Sequence, residues 1–226
     1  MNKTVVQHSV EVLKILYMVV AGLALAVGLQ RFVLSNNGQF EIEWFTLSFW
    51  FFVIFITTVA RFVHGAIRHF DESYVEEPER VNWKIGQPIW DFIFLGLEAL
   101  MFFLLAFSID NHFLFIQYYL WLLAMDCVWL LVTTPPPKTR TWAERKWWIV
   151  ANLIVLGPVL GFTNGSIFWS SSRAIELSPP WLLCVFIGTV AAHTIMDYPL
   201  NWKFYFGRPL RKKQKERASN TSLGKQ

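Results

Sequence analysis

Residues 147–172 carry no charged side chain, and neither do residues 15–30. Apolar stretches of that length belong in the core of a large protein or in a bilayer. With 226 residues, 54% of them hydrophobic and only 16% charged, the chain lacks the polar surface to enclose them. An ordinary soluble domain carries about 25% charged residues. Twenty-one Phe and 12 Trp exclude a disordered chain, and two Cys exclude a disulfide scaffold. An integral membrane protein remains.

A helix crosses about 30 Å of hydrocarbon with roughly 20 apolar residues. Six segments qualify, at about 12–34, 44–63, 89–109, 113–132, 147–169 and 181–200. Lipid leaves no partner for an open backbone, so these are helices, and nothing alternates as a barrel strand does. The expected fold is therefore all-α: a polytopic bundle of six transmembrane helices arranged as three hairpins. The membrane domain covers residues 1–203, and 204–226 form a basic tail. The link Asp110-Asn111-His112 predicts a tight turn between the third and fourth helices. Gly157-Pro158 predicts a kink in the fifth.

Basic residues orient the bundle. All 20 Lys and Arg except Arg31 and Arg173 fall at the ends and loops of a single side, which places both termini in the cytoplasm and the chain in a cell (inner) membrane. Boundary tryptophans agree, with Trp44, Trp169 and Trp181 outside and Trp83, Trp90, Trp142, Trp147, Trp148 and Trp202 inside. Residues 15–26 after Lys3 and Lys14 also fit a cleavable signal, which would leave five helices. Glu11 in a long preceding region and apolar residues continuing to Leu34 favour retention. The inner loops include the acidic run Asp71, Glu72, Glu76, Glu77 and Glu79 and a stiff Pro135-Pro136-Pro137 exit. Six basic residues between Arg208 and Arg217 suit anionic lipid headgroups, whereas nucleic-acid binding lacks any supporting motif. Gly161 and Gly165 form a G-x-x-x-G that fits internal packing or a homo-oligomer. Cys127 and Cys184 fall at different depths, too far apart for a disulfide.

Ionisable groups inside the spans carry the functional signal, since each costs about 2.5–3.5 kcal/mol at a helix centre on the insertion scale. At a rise of about 1.5 Å per residue, Glu98 lies about 13 Å, Asp126 about 9 Å and His193 about 10 Å from the inner helix ends. Arg61 and Asn152 fall in the same layer. Arg61, His64 and Arg68 share one face of the second helix, and Asp91 and Glu98 one face of the third. His193 and Asp197, at i and i+4, are spaced for a hydrogen bond. Asp91, at a helix start, fits a structural role against the dipole.

A water-accessible inner cavity lined by Glu98, Asp126, Arg61 and His193 accounts for this convergence. It points to a small transporter or channel subunit. An intramembrane enzyme on a lipid-type substrate is the alternative, with His64, His69, Asp71, Asp126, His193 and Asp197 as conceivable metal ligands. No catalytic, metal-binding or cofactor motif accompanies them, so no metal, no cofactor and no catalytic residue is assigned. A scaffold subunit without chemistry is the third reading.

Overall fold

The computed structural model describes residues 3–35, 46–76, 86–133, 140–163 and 180–200. Six helices follow one another: α1 (Lys3–Ser35), α2 (Leu47–Phe70), α3 (Gln87–Phe107), α4 (His112–Thr133), α5 (Arg140–Thr163) and α6 (Pro180–Leu200). A π-helical turn, Asp71–Glu76, extends α2. No strand occurs among the described residues. Among the described residues, four segments are long and apolar enough to cross a membrane: His8–Val33, Leu47–Val75, Gln87–Phe107 and His112–Thr133. The described apolar parts of α5 and α6 are shorter, Lys146–Gly161 and Leu183–Pro199.

Local chemistry sets the helix starts. Thr46 caps α2, its Oγ1 accepting from the Phe49 amide at 3.2 Å. Gly86 takes a left-handed backbone (φ 66°) ahead of Pro88, a conformation that a side chain would strain. Between α3 and α4 the chain reverses within a few residues. The Asn111 amide donates to the Ser108 carbonyl (2.8 Å), and Asn111 Oδ1 accepts from the Leu114 amide (3.2 Å). The expected tight turn is there. α5 runs through Pro158 and on to Thr163.

Cross-helix contacts give the helix directions. Lys14 reaches Asp71 while Gly28 packs on Phe55, so α1 and α2 are antiparallel. Phe51 meets Phe115 and His69 meets Trp129, so α2 and α4 run together. Phe51 also stacks on Phe186, and Arg61 meets His193, which makes α6 parallel to both. Asp126 meets Asn152, and Leu130 packs against Trp148, so α5 opposes α4. Successive helices thus alternate in direction. The start of α1 and the end of α6 lie at the same end of the bundle.

The two ends differ in character. Away from the termini, rings interlock: Phe51 with His112, Phe115 and Phe186, Tyr119 with Phe186, and Phe32 with Phe52. Toward the termini the helix contacts turn polar. The acidic stretch expected to be loop is helical as far as Glu76, because Asp71 binds Lys14 and Tyr74 binds Asp91. Glu72 and Ser73 are buried there. Trp90 and Trp147 are exposed as boundary residues would be. Trp148 is not. It is buried, with its ring where a Gly65 side chain would lie. The expectations for Glu77, Glu79, Pro135–Pro137, Gly165, Arg173 and the basic tail fall outside the described residues.

Candidate functional site

Five of the six described helices bring the polar residues of their apolar stretches into one layer near the terminal end. Arg61, Glu98, Asp126 and His193 are 2%, 8%, 4% and 0% exposed, and Asn152 and Asp197 are fully buried. The layer is closed within the protein, so its polar atoms depend on one another.

The Glu98 and Asp126 carboxylates are both held by neutral groups, with the Trp148 indole adding to the hydrogen bonding of Asp126. From α1, the Tyr17 hydroxyl donates to Glu98 Oε1 at 2.5 Å. From α5, Asn152 Nδ2 donates to Asp126 Oδ2 at 2.6 Å. The two acids lie within electrostatic range of each other and of Arg61. Neither is within ion-pair distance of a basic side chain among the described residues. Asp197 adds a third negative group that acts on Asp126.

Arg61 is the cation of this layer. Its Nη1 lies 2.8 Å from His193 Nδ1 and 2.5 Å from Nε2. Arginine only donates, so the imidazole meets it with a lone pair. The guanidinium also covers the Phe62 ring at 4.8 Å. Its Nε and Nη2, the edge that grips a carboxylate with two hydrogen bonds, have no partner among the described residues. Asn152 Oδ1 is likewise unpartnered. A buried polar atom left so costs about 1–3 kcal/mol.

His64, next on the α2 face, meets α6. The His64 ring lies 6.1 Å from that of Tyr198, and His64 senses both Arg68 and Asp197. Arg61, His64 and Arg68 thus extend from the buried layer toward the terminal end, with His64 and Arg68 half-buried.

A second cluster lies nearer the helix ends, and only part of it is legible from spacing. Asp91 accepts from Tyr74 Oη (2.6 Å) and Trp129 Nε1 (2.8 Å), and its Oδ2 is 3.1 Å from His69 Nε2. Three elements besides α3 converge on one carboxylate that is inaccessible to solvent. Asp91 is therefore an internal tie between helices as well as a helix-start charge. Tyr17, Tyr74 and Trp129 escape sequence reasoning because aromatic residues with a polar tip are common in apolar spans. The one hint for Tyr17 is that its hydroxyl stands in the uncharged stretch 15–30.

No group of three or more His, Cys, Asp or Glu among the described residues is arranged to hold a metal ion. Cys127 and Cys184 are free thiols. Comparison with protein-family models, curated proteins and solved structures finds no match for this chain. Its function must be argued from the layer itself.

Proposed function

We propose that this multi-pass membrane protein is a transporter or channel subunit that passes protons or small cations through the Arg61–Glu98–Asp126–His193 layer. The observation that carries the reading is a charge imbalance. Among the described residues, two buried carboxylates lie near one guanidinium, neither of them paired with it. Isolated charge in a low-dielectric interior is costly, and a structural ion pair would be closed. An open arrangement suits a site whose charge changes during its work.

The bundle crosses the membrane six times with both termini in the cytoplasm. Alternating helix directions support this, as do Lys14, Arg61 and Arg68 at the terminal end. The basic tail binds anionic headgroups on that side.

The test is charge movement in vesicles reconstituted with the full chain. Vesicles bearing the protein should dissipate an imposed membrane potential, and Glu98→Gln or Asp126→Asn should stop them with the fold intact. Retention of the potential by wild-type vesicles refutes the reading. Thiol reagents applied from the two sides to single cysteines near each terminus test the orientation.

A further inference from the structure

We infer that the species handled at this layer is the proton, with Glu98 and Asp126 as its two carriers. This rests on the transport reading above and narrows it to one substrate.

The partners of the two acids carry the inference. A metal cation needs several converging oxygen lone pairs, about six for the hard divalent ions and rings of carbonyls for potassium. The groups that hydrogen-bond Glu98 and Asp126 instead present hydrogens, and Asp197 acts on Asp126 only through space. Tyr17 gives an O–H to Glu98, Asn152 an N–H to Asp126, and Arg61 only N–H groups to its surroundings. The one unpartnered side-chain oxygen at these carboxylates among the described residues is Asn152 Oδ1. That falls far short of a coordination shell.

Tyr17 and Asn152 share a further property. Each can both donate and accept. A phenol donates to a carboxylate and accepts from a carboxylic acid by rotating its O–H. An amide does the same by turning over, and the Oδ1 that would then accept is the atom now without a partner. Glu98 and Asp126 therefore keep a hydrogen bond with or without their proton.

Arg61 supplies the matching charge. When the proton leaves either acid for water, the O–H bond breaks and its electron pair stays on the carboxylate. The free Nε and Nη2 edge is then the compensating cation within electrostatic range of both acids. His193 holds Nη1 and so leaves that edge open. Other polar groups facing the layer include Thr58 of α2, Tyr119 and Cys127 of α4, Trp148 of α5, and Asp197 and Tyr198 of α6, and Arg61 and Asp197 both act on Tyr119. Every helix contributes.

The experiment uses the full chain in phosphatidylcholine–phosphatidylglycerol vesicles enclosing a pH-sensitive dye, with an inside-negative potassium diffusion potential. Internal acidification should follow, equally fast when sodium is replaced by N-methylglucamine. Glu98→Gln and Asp126→Asn should lose it, and Asp126→Glu should recover part of it. Charge movement that requires sodium and leaves the dye unchanged overturns the proton assignment while leaving the transport reading intact. Absence of any charge movement overturns both. Infrared spectroscopy of the wild-type protein gives an answer independent of variant folding. A carboxylic C=O band that responds to pH and ignores sodium supports the proton, and its loss on adding sodium at fixed pH overturns it.

Discussion

Tyr17 and Arg61 bear on stability in opposite ways. Tyr17→Phe removes the donor of Glu98 and leaves the ring packed on Phe102, 6.2 Å away. It should cost about 1 kcal/mol, read as a lowered melting temperature in detergent. Arg61→Gln removes a buried guanidinium that has only His193 and the Phe62 ring beside it. It should leave melting nearly unchanged and abolish charge movement, because an unclosed ion pair adds little stability to lose. A large loss of stability would mean that Arg61 is a structural cation. Asp91→Ala is the opposite extreme. It strands His69, Tyr74 and Trp129 in the interior, and breaking such a network should cost about 3–5 kcal/mol. Spacing and depth identify Arg61, Glu98, Asp126 and His193 from the sequence, because charge is conspicuous in an apolar span. Their pairing is not legible there. The sequence suggests Asp197 as the partner of His193, while the structure sets both ring nitrogens against Arg61 of α2.

Helix boundaries depart from the apolar spans where polar contacts continue a helix past its last apolar turn. α2 was expected at 44–63 and runs Leu47–Phe70 with its π-turn to Glu76. A hydropathy pattern stops at His64 and Arg68, but the helix continues because His69 and Tyr74 bind Asp91 and Asp71 binds Lys14. α1 and α5 likewise start earlier than their apolar stretches, at Lys3 and Arg140. α3, α4 and α6 begin within about two residues of expectation, since each opens next to a turn or a proline. Which glycines permit close packing is equally hidden. A Cβ on Gly65 would collide with the Trp148 ring and one on Gly28 with Phe55, whereas Gly22 and Gly96 meet nothing within 4 Å. Gly65→Ala should therefore destabilise by about 1–3 kcal/mol. Gly96→Ala should be neutral or stabilising by up to about 1 kcal/mol, since alanine is the better helix former. Thermal unfolding of the two variants side by side checks the α2–α5 contact directly.

Across the whole molecule, the alternation of helix directions brings the ends of α1 and α6 together and gathers the polar layer beside them. Toward the opposite end, among the described residues, the rings of Phe51, His112, Phe115 and Phe186 interlock. Those interlocked rings have an electrical meaning. A membrane potential falls across whatever part of the protein is driest, at about 2.3 kcal/mol per elementary charge per 100 mV. On the transport reading water reaches the layer from the terminal side, which leaves the ring cluster as the dry part and the ionisable layer near the potential of that side. Voltage should then act on the crossing of the Phe51 region and hardly at all on protonation of Glu98 or Asp126. Phe51→Ala should weaken the voltage dependence of charge movement, and Asp126→Glu should leave its steepness unchanged. On that reading the aromatic end of the bundle acts as the capacitor, and the polar end as one of its plates.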